Sequence, residues 1–404
     1  MYELIVVGSG AAGMMASITA ARNGKKVLLL EKLSKLGSKL KATGGGRCNL
    51  TNTLENDVFM QGFGRNGKFM MEALKGFNHK DLIDFFADIG VDTHSPDGHR
   101  VFPTTHNSET ILSALEAELN RLQVEIKCNE KVEVLESDGE NIIGVSTQND
   151  NFKAKHVVIA TGGLGYPQLG SEGDGYVLSQ SVGHKVTDLY PAMMPLISKE
   201  TWVQNCRADT IAKVEMRVDL KKAKKLRAFG DLIFTKNGIR GPVVLDFARE
   251  ITPLLAKYGE VPLLMNLTKG MNEDQILKHF KNNHEFSTLE MVKTLLPEAL
   301  SSELCNLAGA DPSISFNKLS GTVRDKLIKT LAWTPLTITG HDGFKMAMIT
   351  RGGVSLKEIN AQTMQSKLIN GLYFCGEVMD LDGPCGGYNL QWSFASGFLA
   401  GKLL

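Results

Sequence analysis

Leu4-Ile-Val-Val-Gly8-Ser9-Gly10-Ala11-Ala12-Gly13 decides the fold, and with it goes Val27-Leu-Leu-Leu-Glu31 some twenty residues on. The apolar run Leu4 to Val7 reads as a parallel strand covered on both faces. A helix is expected from the glycines to about Asn23, with Gly24 as its C-terminal cap. Gly8 permits the tight turn, Gly10 lets the backbone approach a pyrophosphate, and Gly13 lets helix and sheet pack closely. The helix start at Ala11 and Ala12 offers N–H groups and a partial positive charge to phosphates. Glu31, followed by Lys32, ends the second strand where a carboxylate can accept hydrogen bonds from ribose hydroxyls. This strand, helix, strand and acid together predict a bound adenine dinucleotide.

Two segments far along the chain repeat the idea. Val157-Val-Ile-Ala-Thr161-Gly162-Gly163 is a buried strand breaking into a glycine turn, and Gly371-Leu-Tyr-Phe-Cys-Gly376-Glu377-Val-Met-Asp380 does the same near the end. A chain that leaves a dinucleotide domain and returns to it looks like a two-dinucleotide-binding-motif flavoprotein. Asp380 would face the ribityl or pyrophosphate part of FAD. A closing helix from about Gly387-Tyr388-Asn389 to Leu404 would aim its N-terminus at the flavin N1–C2=O edge. Only one Gly-x-Gly-x-x-Gly unit, Gly8 to Gly13, follows a buried apolar strand, so NAD(P)H enters as a transient reductant in the substrate cleft, or another reductant replaces it.

Lys39-Leu-Lys-Ala-Thr-Gly-Gly45-Gly46-Arg47-Cys48-Asn-Leu-Thr-Asn52 resembles the signature of the BaiN-like (YhiN-like) flavoproteins. Phe234-Thr-x-x-Gly-Ile-x-Gly-Pro242, Thr350-Arg-Gly-Gly-Val354 and Gly376 through Gln391 match it in family order. The resemblance implies an α/β fold with a Rossmann-like FAD-binding domain over 1–190 and 345–404. It also implies an inserted β-rich substrate domain over 191–270 and 333–344, carrying a helical insertion over 271–332. Val132 and Thr161 carry over as FAD contacts. The glycine run would lie against the flavin or pyrophosphate, with Arg47 neutralising phosphate or anionic flavin. Cys48 reads as a buried thiol beside the flavin rather than its proton donor, and Cys385 takes no role. The expected activity is hydride transfer between flavin N5 and an organic substrate: reduction of a C=C bond or oxidation of an amine. Reduction of a ribosomal RNA uridine, or an RNA-binding module holding FAD structurally, is the alternative. No catalytic acid or base is assigned.

Composition fits this reading. The 404 residues are too many for one ordinary core. With 45 Lys and Arg against 44 Asp and Glu, charge alone points neither to nucleic acid nor to an anionic membrane. Period-two alternation at Val214, Met216, Val218 and Leu220 predicts an antiparallel strand, with Lys221 to Lys225 as a hairpin turn. That basic run reads as a solvated tip, so a small molecule is the expected partner ahead of RNA. Six cysteines without a C-x-x-C pair suit a reducing cytoplasm and exclude disulfide-exchange chemistry. His94, His99 and His106 read as three independent histidines, and no metal is expected. The glycine-broken, acid-bearing start is not a signal peptide, and no run of eighteen apolar residues spans a bilayer. Oligomeric state is not legible.

Overall fold

The computed structural model describes residues 1–282 and 285–403. Leu404 at the end of the expected closing helix, and positions 283 and 284 in the expected helical insertion, lie outside the described residues. The chain divides into two compact units, Met1–Pro191 with Met348–Leu404, and Ala192–Ala347.

In the first unit a sheet of seven strands is built from β1 (Tyr2–Val7), β2 (Val27–Glu31), β6 (Glu125–Cys128), β7 (Val132–Ser137), β8 (Ile142–Thr147), β9 (Asn151–Ile159) and β18 (Leu372–Phe374). Its parallel part runs β6-β2-β1-β9-β18. The long strand β9 shares its outer edge: residues 151–153 pair with β8, and 157–159 with the returning β18. Strand order therefore reverses between β1 and β9, the crevice where open α/β sheets bind ligands. Leu4, Ile5 and Val6 are fully buried, as their uninterrupted apolar run requires. A small sheet, β3 (Thr51–Asn52), β5 (Arg100–Pro103) and β4 (Thr93–His94), lies apart, and β10 (Tyr190–Ala192) pairs with β17 (Ile349–Arg351).

The helices of this unit are α1 (Ala11–Arg22), α2 (Ser38–Lys41), α3 (Asn56–Gln61), α4 (Met71–Gly76), α5 (His79–Asp88), α6 (Ser108–Arg121), α7 (Asp174–Ser181) and α13 (Tyr388–Gly401). α1 is rich in alanine and other small residues and is buried over most of its length, because α13 covers the side that the sheet does not. The two helices meet backbone to backbone: a Cβ on Gly397 would stand 2.3 Å from Ala12 O, and one on Gly401 2.5 Å from Ala16 O. Both contacts advance by four residues, so α1 and α13 run parallel.

The second unit is a closed six-stranded barrel, β11 (Leu196–Ser198), β14 (Gly238–Arg240), β13 (Arg227–Phe234), β12 (Thr210–Val218), β15 (Val261–Asn266) and β16 (Thr334–His341). Its helices are α8 (Pro242–Tyr258), α9 (Glu273–Asn282), α10 (Thr288–Lys293), α11 (Glu298–Ala308) and α12 (Gly321–Ala332). One apolar cluster joins Val214, Leu263 and Ile338 of the barrel to Ile276, Leu304 and Leu331 of the helices. α8 has no counterpart in the sequence reading. It starts at Gly241-Pro242, where proline presets the first helical turn. In the first unit, Gly64–Met70 forms a 3-10 stretch that leads into the short α4. Within it Gly67 lies so close to Met60 that a Cβ would stand 1.9 Å from Met60 O.

Candidate cofactor-binding site

The β1–α1 turn has the three expected glycine environments. A Cβ on Gly8, whose φ is +101°, would stand 2.7 Å from Ala160 O at the end of β9. One on Gly13 would stand 1.9 Å from Gly8 O. One on Gly10 would meet nothing within 4 Å. Two glycines therefore serve packing, while the third faces open space in front of the helix. No side chain caps α1 at Gly10, and its first turn carries no acid, so its N–H groups at Ala11, Ala12 and Gly13 point toward that space. Glu31 is aimed from the end of β2. Its Oε2 accepts from Ser9 N at 3.0 Å and from Ser9 Oγ, and its Oε1 accepts from Leu33 N at 2.9 Å.

The second half of the site is assembled from residues hundreds of positions apart. Lys39 Nζ donates to Glu377 Oε2 at 2.7 Å, and Thr350 N donates to Glu377 Oε1 at 2.9 Å. A Cβ on Gly163 would fall 2.4 Å from Thr350 Oγ1 and 2.6 Å from Glu377 Oε1, so this turn packs directly on the pair. Beside it Gly162 adopts φ +70°, and the Thr161 hydroxyl is buried with no hydrogen-bond partner. Gly376 also sits at positive φ, packed against Ala12.

The segment that follows the Gly44–Gly46 loop, Asn49 to Asn52, is bound to the start of α13. Asn52 Nδ2 donates to Gly386 O at 2.9 Å. With its amide oriented to satisfy both groups, Asn49 accepts from Gly387 N and donates to Thr51 O and Val101 O. Gly387, at φ +86°, lies so close to Thr51 that a Cβ would stand 2.4 Å from its backbone. Gly45 and Gly46 face open space, since a Cβ on either meets nothing within 4 Å. Tyr388 stacks on Phe59 with ring centroids 4.7 Å apart, and Asn389 pins Gly383 through both amide atoms. Both side chains therefore shape the loop, and α13 presents its N-terminus without a side-chain cap or first-turn acid.

The parallel pairing of α1 and α13 sets the distance between these two N-termini. Ala12 lies level with Gly397, so α13 begins eight residues, or about 12 Å, beyond the start of α1. The two positive helix ends are displaced along one line, one at the pyrophosphate position of the fingerprint and one beyond it. An open cradle at Gly10, an uncapped helix on either side and an aimed carboxylate fit an extended FAD.

The remaining expected contacts have the following surroundings. Lys32 Nζ forms ion pairs with Glu172, at 2.6 Å, and with Asp174 at the start of α7, which also holds Lys131 at 3.0 Å. Val132 is buried at the start of β7, opposite Thr147. Arg47 is exposed; its Nε donates to Gly44 O at 3.2 Å and its guanidinium lies 5.6 Å from the Phe102 ring centre. Cys48 is fully buried at φ +57°, and burial pushes its thiol up to about 12. Asp380 is half-buried, and burial, with Asp382 nearby, raises its carboxyl above the ordinary value; Thr187, Arg351 and Arg65 act against that rise. The histidines are not all independent: His94 and His106 pack edge to face with centroids 4.5 Å apart, because the β4–β5 pairing brings their segments together. Among the described residues no group of three His, Cys, Asp or Glu side chains is placed to hold a metal ion, and no helix is long and apolar enough to cross a membrane.

Ser9, Asn49, Asn52, Gly163 and Thr350 were not among the expected site residues. Thr350 lies in the Thr-Arg-Gly-Gly block already noted as a motif, so a signal was present; Ser9, Asn49 and Asn52 act through contacts that spacing does not reveal.

A family model described as HI0933-like protein Rossmann domain matches residues 2–403. The chain is 32% identical over 409 residues to a 3-dehydro-bile acid delta(4,6)-reductase of Clostridium scindens, covering 100% of this chain and 98% of that protein. It is 30% identical over 397 residues to a ribosomal RNA dihydrouridine synthase of Escherichia coli, covering 98% and 96%. Its fold is shared with a solved 3-ketosteroid delta1-dehydrogenase from Sterolibacterium denitrificans, at TM-score 0.56 and 14% identity, covering 99% of this chain and 98% of that one.

Proposed function

The chain belongs to the HI0933-like Rossmann-domain family and is an FAD-dependent oxidoreductase, and from that premise we propose that it reduces a C=C bond conjugated to a carbonyl group. The observation that carries the cofactor reading is the pair of parallel, uncapped helices displaced by about 12 Å. FAD, when bound, supplies a hydride at flavin N5.

The chain's own residues hold and tune that group. The first turn of α1 would hold the pyrophosphate through Ala11, Ala12 and Gly13 N–H groups, with Gly10 leaving room for it. Glu31, braced by Ser9, would take the adenosine ribose. The backbone at Gly387 to Asn389 would meet the pyrimidine edge of the ring, where the helix end favours the negative charge of the reduced form. Gly45 and Gly46 would lie along the ring, while Lys39 and Glu377 brace the ribityl side against the Gly162–Gly163 turn.

Support for the bond type comes from the relatives. A 3-dehydro steroid with double bonds at 4 and 6, and the uracil ring that becomes dihydrouridine, both present a C=C conjugated to a carbonyl. Such an acceptor takes a hydride at the carbon remote from the carbonyl and a proton at the nearer one. NAD(P)H is the proposed reductant.

The test is anaerobic. Purified protein should be yellow with one FAD per chain, be bleached by NADH or NADPH, and be reoxidised by a 4-en-3-one steroid or by uridine-containing RNA. Reoxidation by a small amine's imine but by neither conjugated acceptor would refute the proposed bond type. Colourless protein that takes up no FAD on titration would refute the cofactor site.

A further inference from the structure

The barrel unit carries a surface that neither its packing nor flavin chemistry accounts for. The turn expected at Lys221 to Lys225 is present between β12 and β13, with Lys221, Lys222, Lys224 and Lys225 exposed. From residue 215 to 227 there are six cations against two carboxylates, Glu215 and Asp219. A lysine-rich solvated turn would explain that much. It does not explain the outward face of the two strands.

There Arg217 and Arg227 stand directly opposite each other in the antiparallel ladder. Directly opposed like charges destabilise a sheet. Glu215 offsets only part of this, through Arg227 at 3.3 Å. Arg217 instead lies over Trp333, its guanidinium carbon 3.7 Å from the ring centre. The next pair on the same face of the ladder is Glu215 and Phe229. Phe229 is 69% exposed, the most exposed aromatic side chain among the described residues. The face continues through Leu264, opposite Arg217, to Pro335, opposite Leu264.

We propose that this face of the barrel docks a single strand of nucleic acid. Phosphates would lie along the lysine turn and the opposed arginines, whose mutual repulsion an anionic backbone relieves. A base would stack on the bare ring of Phe229, and the Arg217–Trp333 stack would extend the platform. Proteins that hold single strands combine these elements: a cationic track and aromatic faces that any base can cover. A membrane surface fits less well, because the phenyl ring sits within a strand face and the tip of the turn carries lysines, with no apolar side chain to insert. The surface stands on residues of the barrel unit alone, so its failure would leave the flavin reading intact.

The experiment uses the FAD-loaded protein and fluorescence anisotropy with a labelled, uridine-rich single-stranded RNA of about twelve nucleotides, within the range that such surfaces cover. Wild type should bind in the micromolar range at low salt, more tightly than a duplex of the same length. The triple variant Lys221→Gln, Lys222→Gln, Lys225→Gln should flatten the dependence of log K on log salt by about 2, at about 0.7 for each lost phosphate contact. Phe229→Ala should weaken binding about 5- to 150-fold, the range for one lost base stack, and Phe229→Trp should restore it. FAD content and melting temperature should match wild type in every variant. Millimolar binding by wild type would overturn the proposal. So would an unmoved salt slope together with an unaffected Phe229→Ala, or a preference for phosphatidylserine vesicles over RNA.

Discussion

Gly10 and Gly13 belong to the same motif, yet substitution of each should fail in a different way. At Gly10 the backbone is extended, with φ −71° and ψ −177°, a conformation valine accepts, and a Cβ there meets nothing within 4 Å. Gly10→Val should therefore change the melting temperature of the FAD-free protein little, within the roughly 0.5 kcal/mol of an uncrowded surface substitution. Its branched side chain would nevertheless fill the space in front of α1 where a pyrophosphate would approach. Losing two charge-assisted N–H contacts at about 1.5 kcal/mol each removes about 3 kcal/mol of binding, or about a hundredfold in Kd. At Gly13 the Cβ would stand 1.9 Å from Gly8 O, against an ordinary contact near 3.4 Å, so α1 must move off the β1 turn. Overpacking of this kind costs about 1–3 kcal/mol, and Gly13→Ala should lower the melting temperature by several degrees even without FAD. Differential scanning fluorimetry of the FAD-free proteins, with flavin fluorescence titration, separates the two effects. The reasoning is refuted if Gly10→Val keeps wild-type FAD affinity, or if its FAD-free form melts as low as Gly13→Ala.

Lys39→Met should leave Glu377 with Thr350 N as its remaining partner from this cluster and weaken FAD binding about tenfold, with Lys39→Arg close to wild type; flavin titration reads both. Cys48, raised from 9.0 to about 12, keeps its proton in the fold after the unfolded chain has lost its own. Stability should thus fall by about 1.4 kcal/mol per pH unit from this group between pH 9 and 12, and Cys48→Ala should flatten that alkaline slope in denaturant titrations. The raised carboxyl of Asp380 has the same sign at acid pH: its ionisation opposes folding above the ordinary carboxylate value. Asp380→Asn should therefore raise the melting temperature of the FAD-free protein at pH 7, with the gain vanishing toward pH 3; a constant gain at both would remove burial as its cause.

The parts of this protein that the sequence declares are those whose geometry is local. Gly8, Gly10, Gly13 and Glu31 are legible because a turn, a helix start and a strand end each impose residue types at fixed short spacings. The apolar runs of β1, β2, β9 and β18 are legible because burial on both faces leaves no room for polar side chains. The hairpin at Lys221 to Lys225 is legible from period-two alternation. The family signature around Gly44 to Asn52 likewise announced a glycine loop, and the HI0933-like match bears out the resemblance.

What folding alone decided is which distant residues share a contact. Lys39 and Glu377 are 338 positions apart, and no spacing rule links them. Lys32 follows Glu31 directly, but its ion-pair partners Glu172 and Asp174 lie some 140 positions on, at the start of α7, and no spacing names them. Tyr388 and Asn389 start α13 where the motif predicts, and their side chains pack on Phe59 and Gly383, partners that no spacing reveals. The separation of the two helix N-termini is likewise unreadable from the chain, since it depends on Gly397 and Gly401 meeting Ala12 and Ala16 in one register. Local motifs announce themselves because a few dihedral angles determine them. Registers between distant elements are settled by close packing over the whole unit, where a glycine's missing Cβ decides how near two backbones come.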